Sequence, residues 1–324
     1  MIVRWGLEAL PEVLRKVGSS KPLLVSTERW RALELPVWDR YHGARPHAER
    51  EGVEEAVERA NSADGVIAVG GGSAIDTAKA VSAETGLPLV SIPTTYAGAE
   101  WTPYFGIRDA ARGTKGGGGG ASLAAIVYDP RLTLELPRPE SAGTAMNALA
   151  HCAEALYVKN RNEDADRHAL AGASLINRFL PLVLADGSDL DARTHLLEGA
   201  SEAGAALGGS GLALGHAMAQ ALGGRYGLPH GALNAICLPP ALRFNQPVAA
   251  DALRRLGGAL EADDPVGRVQ ELARLGGFER LRDLGVPREE LGEVAEATAL
   301  RPAMRLNPRP ASVREIAELL LSVW

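Results

Sequence analysis

At 324 residues the chain is long enough for two domains with substantial cores, and its 46% hydrophobic and 23% charged residues exclude a disordered or small disulfide-stapled protein. A net charge of −6, from 34 basic and 40 acidic residues, offers no basic field for nucleic acid or an anionic membrane, so neither is an expected partner. Two cysteines, Cys152 and Cys237, form no disulfide framework; they read as small buried residues in a reduced, cytoplasmic protein. No stretch approaches the ~18 apolar residues of a membrane span, and the N-terminus reads as neither signal nor anchor.

In chain order, residues 22–26, 65–69, 88–92 and 125–128 are short aliphatic or β-branched runs closed by Gly, Pro, Ser or Thr, the pattern of strands buried on both faces. Amphipathic helical segments lie between them at 48–63 and 73–85, the second opening with Ser73 in the cap position. Residues 116–120 are consecutive glycines, which read as a mobile surface loop or a hinge beside a ligand cleft. Beyond Asp129-Pro130 strand signals vanish, and segments 141–157, 165–185, 191–207 and 211–222 carry apolar residues at i, i+3 and i+4. With the boundary at Pro137-Arg138-Pro139, the expected architecture is a Rossmann-like α/β domain over 1–137 and an all-helical domain over 138–324.

The strand at 65–69 runs into Gly70, Gly71, Gly72 and Ser73 and then into a helix carrying Asp76 and Lys79. Glycines there admit an anion against backbone N–H groups at the positive end of a helix dipole. The pattern is neither GxGxxG nor a Walker A sequence. Thr94, Thr95 and Gly98 follow the next strand, and Thr27 and Glu28 follow the first. In a doubly wound sheet these carboxyl ends share one crevice, where the residue after the first strand reads the adenosine ribose; Thr27 and Glu28 leave the coenzyme open.

The helical half holds a second constellation. Asn147 and His151 are spaced i, i+4, as are His216 and Gln220, and Leu228-Pro229-His230-Gly231 supplies a third imidazole on an expected loop. Three neutral imidazoles and one oxygen ligand suit Zn²⁺ or Fe²⁺, while each histidine alone also reads as a partly buried structural residue. His42, His47, His168 and His195 stand in charged surroundings and read as surface.

Taken together, Gly70-Gly71-Gly72-Ser73 with Asp76 and Lys79, Pro93-Thr94-Thr95, Asn147 with His151, His216, and Leu228-Pro229-His230-Gly231 resemble the iron-containing alcohol dehydrogenase superfamily over nearly the whole chain. Residues 43–47, 95–103, 146–151 and 307–310 are similar to its maleylacetate reductase branch. The resemblance implies a dehydroquinate synthase-like architecture with a cleft between its domains, hydride transfer with NAD(H) or NADP(H), a small-molecule substrate and a homodimer. It implies pyrophosphate over Gly70, Gly71, Gly72 and Ser73, with Asp76, Thr94, Thr95 and Gly98 near the cofactor and Thr27 toward the ribose. In metal-dependent relatives the positions of Asn147, His151, His216 and His230 hold Fe²⁺ or Zn²⁺, but Asn147 stands where those have Asp. Gln220 likewise stands where relatives commonly carry a histidine.

The leading expectation is reduction of an unsaturated oxo-dicarboxylate such as maleylacetate, as in aromatic compound degradation. His151, His216 and His230 would stabilise developing charge, and His216 or His230 would donate the proton. Arg243 and Arg309 are candidate cations for the dianionic substrate. The alternatives are a metal-dependent alcohol or polyol dehydrogenase and a non-catalytic nucleotide-binding member.

Overall fold

The computed structural model describes residues 1–46, 48–109 and 114–324; His47 and Gly113 lie outside the described residues. The chain forms two compact units, Met1–Thr95 with Ala99–Thr133, and Tyr96–Gly98 with Leu134–Trp324. The change of texture read at residue 137 falls about a helical turn after that division, and the grouping of Tyr96–Gly98 with the helices has no sequence signal.

The first unit contains β1 (Ile2–Trp5), α1 (Leu10–Val17), β2 (Pro22–Ser26), β3 (Asp39–Tyr41), α2 (Arg50–Arg59), β4 (Gly65–Gly70), α3 (Gly72–Thr85), β5 (Pro88–Pro93), β6 (Phe105–Asp109), β7 (Thr114–Gly118) and β8 (Ser122–Tyr128). The main sheet has the order β1-β8-β5-β4-β2-β3, every pair parallel. Its alternating side chains serve two cores: Leu23, Val25, Val66, Ala68 and Leu89 face α2 and α3, while Leu24, Ile67, Val69, Val90 and Ile92 face α1. Burial on both faces is why the central strands read as unbroken apolar runs. β1 and β3 escape such a reading because they are short, half-exposed edges. Strand order reverses between β2 and β4, so the register Ser26↔Val69 sets the residues following both strands side by side at the switch point.

The glycine tract is not a free loop. Gly116, Gly117 and Gly118 pair antiparallel with Ile107, Gly106 and Phe105. A Cβ on Gly118 would lie 2.6 Å from the Phe105 ring, so the absent side chain is what lets the ring cover the strand.

The second unit contains α4 (Arg138–Ala155), α5 (Glu163–Ala185), α6 (Leu190–Gly209), α7 (Leu214–Tyr226), α8 (His230–Asn245), α9 (Ala250–Ala259), α10 (Pro265–Leu275), α11 (Leu291–Ala299) and α12 (Val313–Ser322). Leu214, Met218, Leu222, Leu233, Ile236 and Cys237 interleave with Leu291, Val294, Ile316 and Leu320 to form the core of α7, α8, α11 and α12. Both cysteines are buried, and burial pushes their thiols up. Contrary to the sequence expectation, α5 is long and apolar enough by composition to cross a membrane, with a window of mean hydropathy 1.3. Half of that window is buried in the helical unit, where Ala165, Ala169, Ala173, Ile176 and Leu180 face inward, as in the central helix of a bundle.

Two substitutions separate packing demand from looseness in β7. Gly116→Ala, with nothing near its added Cβ, should change stability by less than about 0.5 kcal/mol. Gly118→Ala should cost about 1–3 kcal/mol by overpacking against Phe105. Urea unfolding and amide exchange across β6 read both, and equal effects would return the tract to an unpacked loop.

Candidate active site

In the first unit the apolar strand β4 delivers Gly70 at φ +148°, a conformation natural to glycine. Gly70 O accepts the Thr94 N–H, which ties the end of β4 to the loop after β5. Gly71, not Ser73, is the N-cap of α3 and makes no side-chain cap bond; Ser73 lies inside the first turn. A Cβ on Gly71 would meet Thr95 at 2.9 Å, whereas one on Gly72 meets nothing within 4 Å. The turn is therefore closed by Thr95 on one side and open beside Gly72. With its leading N–H groups outside the intrahelical ladder, α3 presents a cradle suited to an anion.

Of the other residues expected near a cofactor, Thr94 is buried and Thr27 is extended, bridged to Gly43. Glu28 is exposed and paired with Arg31, whose hydrogen bond holds the carboxyl below its ordinary value. His42 is half-buried, with Nδ1 2.7 Å from Ser26 Oγ; burial, then Arg31 and Arg40, lower its pKa. Asp76 faces the hairpin, where its carboxylate accepts the Gly106 N–H at 3.1 Å and Lys79 Nζ donates to Tyr104 O at 2.8 Å. Gly98, at φ +74°, belongs to the helical unit and lies against His151 and Gly204.

The second unit assembles the polar side chains of α4, α7 and α8. Gly143, Asn147 and His151 form an i, i+4 stripe on α4, with Glu154 one turn further. A Cβ on Gly231 would lie 2.3 Å from Gly143 O, so the glycine allows the first turn of α8 to settle on α4. His230 is consequently the first residue of α8 rather than part of a loop, and Gly223 and Gly224 lie within α7. The imidazoles of His151 and His216 stack with centroids 4.7 Å apart and planes 12° apart; His230 lies 5.9 Å from His216.

Glu154, which the sequence reading passed over, organises this cluster. Its buried carboxylate accepts the N–H groups of Ala213 at 2.6 Å, Gly215 at 2.7 Å and His216 at 3.3 Å, and lies 2.8 Å from His216 Nδ1. An anion at the start of α7 satisfies donors the helix leaves free and complements its dipole. The same carboxylate requires Nδ1 to carry the proton, leaving Nε2, which is buried and has no protein partner, as the chemically available nitrogen. Glu154 follows His151 by one turn, so extending the Asn147 and His151 stripe could have found it. Asn234, likewise missed, follows His230 by four residues, and its Nδ2 donates to Asn147 Oδ1 at 2.5 Å.

Asn147 is oriented by these neighbours. Its Nδ2 donates to Ala97 O at 2.9 Å and lies 3.5 Å from His151 Nε2, while its Oδ1 takes the Asn234 bond. His151 Nε2 thus meets an amide N–H, not an oxygen lone pair. Among the described residues no three His, Cys, Asp or Glu are placed to hold a metal ion. A neutral amide presenting a donor fits a divalent ion poorly, so this set does not make the expected metal centre.

Neither candidate cation serves the histidines. Arg243 is exposed on the last turn of α8 and donates to Gln270, about 20 Å along the axis from His230. Arg309 donates to Phe244 O and Glu315 and packs 3.9 Å over the Phe244 ring, also at that far end. His168 and His195 pair with Glu202 and Glu198 near the surface, apart from this cluster.

Family models match most of the chain: "Iron-containing alcohol dehydrogenase" over residues 3–130 and "Fe-containing alcohol dehydrogenase family, C-terminal" over 141–324. The maleylacetate reductase of Pseudomonas knackmussii is 37% identical over 302 residues, covering 90% of this chain and 86% of that protein. The maleylacetate reductase 1 of Rhodococcus opacus is 35% identical over 324 residues, covering 97% and 90%. The crystal structure of maleylacetate reductase from Agrobacterium tumefaciens superposes with a TM-score of 0.91 at 31% identity, covering 100% of this chain and 95% of that one.

Glu154→Gln puts an N–H donor among N–H donors and should destabilise the chain by about 1–3 kcal/mol. It should also release the tautomer of His216, read by ¹⁵N chemical shifts of histidine-labelled protein; an unchanged tautomer would remove Glu154 from its orienting role. His151 gives a second expectation. Burial, then His216 and His230, keep it well below its ordinary pKa, whereas the unfolded chain takes up that proton near pH 6.5. Stability from this group is present above about pH 6.5 and falls as pH drops below it. Urea midpoints should therefore decline less between pH 7.5 and 5 in His151→Gln than in the parent, and parallel curves would refute the assignment.

Proposed function

Because the chain belongs to the iron-containing alcohol dehydrogenase family, we propose that it is an NAD(P)H-dependent reductase of the maleylacetate reductase type. Its substrate on this reading is an unsaturated oxo-dicarboxylate whose double bond is conjugated to a ketone. The observation that carries the mechanism is His216, held by a buried carboxylate on one nitrogen and free on the other.

The backbone N–H groups of Gly72 and Ser73, at the open side of the α3 cradle, bind the coenzyme pyrophosphate, with Thr94 and Thr95 lining the same loop. Thr27 lies at the end of β2, where the ribose is read. The coenzyme, when bound, would supply a hydride to the alkene carbon β to the ketone, so that NAD(P)H, H⁺ and the C=C bond would become NAD(P)⁺ and a saturated CH–CH unit.

Charge then develops on the ketone oxygen as an enolate, and a positioned donor lowers that barrier by about 3–4 kcal/mol. His216 in its imidazolium form fills this role: Glu154 balances the cation at Nδ1 while Nε2–H faces the developing charge and delivers the proton to the α carbon. His230, half-exposed on the first turn of α8, re-protonates His216 from solvent. His151 stays neutral and packs against His216, which excludes water from one face of the ring. Asn147, which gives its N–H groups to Ala97 O and toward His151, is a poor partner for a metal ion in this chemistry.

Initial rates with NADH and NADPH against maleylacetate and a panel of small alcohols and aldehydes test this reading. Maleylacetate reduction should survive dialysis against a chelator without loss and gain nothing from Fe²⁺ or Zn²⁺. Metal-dependent alcohol oxidation with no maleylacetate turnover would replace it with the dehydrogenase alternative. Absence of any NADH or NADPH binding by fluorescence would leave a non-catalytic member of the family.

A further inference from the structure

A dianionic substrate needs a cation, and the two candidates from the sequence, Arg243 and Arg309, are committed elsewhere. One other guanidinium in the helical unit is differently placed. Arg301 follows α11, is half-buried, and lies on α7: Nη2 is 3.3 Å from Gln220 O, and a Cβ on Gly224 would lie 3.2 Å from the same nitrogen. Among the described residues no carboxylate pairs with it. Arg225, by contrast, is bound to Glu290 and Glu293, Arg255 to Asp166, and the fully buried Arg193 is surrounded by Tyr96, Gly187 and Leu136 oxygens.

This single contact does little for the fold. Gln220 O sits in the middle of α7 and is already the acceptor of the helical bond from Gly224, so Arg301 adds only a long second donor. Among the described residues the guanidinium makes one protein hydrogen bond, which leaves its other N–H groups open to an anion. Burial lowers the pKa of Arg301 with no acidic neighbour opposing, although the guanidinium remains charged.

Its position along α7 supplies the functional link. His216, Gln220 and Gly224 repeat at i, i+4 and i+8, one row on one helix face. Gln220 is about 6 Å along the axis from His216, comparable to the ~6 Å extended length of a six-carbon chain. Gln220, Gly224, His230 and Arg301 are all partly exposed, so solvent reaches the Gln220 and Gly224 end of this row while His216 is fully buried, and Gly224 leaves room beside the guanidinium.

We propose that Arg301 is the carboxylate-binding residue of this enzyme: its guanidinium grips the carboxylate distal to the reacting double bond and thereby selects dicarboxylates over monoacids, aldehydes and simple alcohols. Bidentate recognition of a planar carboxylate is the geometry arginine provides and lysine does not. The proposal rests on the reductase reading of the same site, and its test keeps the two apart.

Calorimetry of the intact protein with saturating NADP⁺ or NAD⁺ compares adipate, a saturated six-carbon dicarboxylate, with its monomethyl ester. The parent should prefer adipate roughly ten- to hundred-fold, the size of a charge-assisted hydrogen bond. Arg301→Gln should abolish that preference while leaving the ester affinity and thermal midpoint unchanged, and Arg301→Lys should retain part of it. In steady state, Arg301→Gln should raise KM for maleylacetate by the same factor, with kcat within about threefold. No preference in the parent, or a preference that persists in Arg301→Gln, overturns the assignment. If adipate binding depends on Arg301 but maleylacetate is not reduced, the carboxylate site stands and the reductase reading falls.

Discussion

The buried carboxylate of Glu154 is the constraint on which the helical unit's chemistry depends. It closes the N-terminus of α7, where Ala213, Gly215 and His216 would otherwise leave N–H groups without acceptors in a dry interior. That cap fixes where α7 begins and hence where His216 stands. By meeting Nδ1 as well, the same group sets which nitrogen of His216 is reactive. Gly215 is part of the arrangement, because a Cβ there would lie 2.9 Å from Glu154 Oε1. Asn307 secures the other side, accepting the Leu214 N–H and exchanging amide bonds of 2.9 Å with Asn245. One buried network thus serves stability and reactivity together, which makes its members hard to replace singly.

The balance between imidazole and amide follows from the same packing. Gly231 against Gly143 brings α8 onto α4, and that approach lets Asn234 reach Asn147. With Ala97 O taking its Nδ2 and Asn234 giving to its Oδ1, Asn147 has its two ends assigned by neighbours rather than by a ligand. A carboxylate in its place would face Ala97 O and lose that bond. Three histidines alone therefore do not define a metal site; the orientation of the fourth group decides between ion binding and proton chemistry.

Glycines in this chain do different jobs that composition cannot separate. Gly70 adopts a backbone angle that suits only glycine, and Gly72 leaves space beside the opening of α3. Gly118 makes room for Phe105, while Gly231 makes room for a neighbouring helix. The hairpin carrying the glycine tract is anchored to α3 by Asp76 and Lys79, so residues of the cofactor signature also hold structure. Lys79 is almost completely buried, and burial lowers its pKa; Glu100, equally enclosed, is raised by burial while taking the Tyr128 hydroxyl at 2.7 Å.

Local patterns were sufficient to read β2, β4, β5, β8 and the main helices, because strands buried on both faces are continuously apolar and helices repeat every three to four residues. They also revealed the glycine turn before α3 and the Asn147 and His151 pair, whose spacing is itself a contact. The edges β1 and β3, too short and half-exposed to show a pattern, and the paired state of the glycine tract were not legible, since cross-strand partners leave no trace in a single run of residues. Nor could sequence distance rank the arginines: Arg243 and Arg309 lie at the far end of α8, while Arg301, which follows α11, lies on α7. Fold class, family and the kinds of group available for chemistry are therefore written in local patterns and spacings. Which nitrogen of His216 is free, which way Asn147 turns and which guanidinium lies on α7 follow from packing alone, because each depends on hydrogen bonds between segments far apart in the chain.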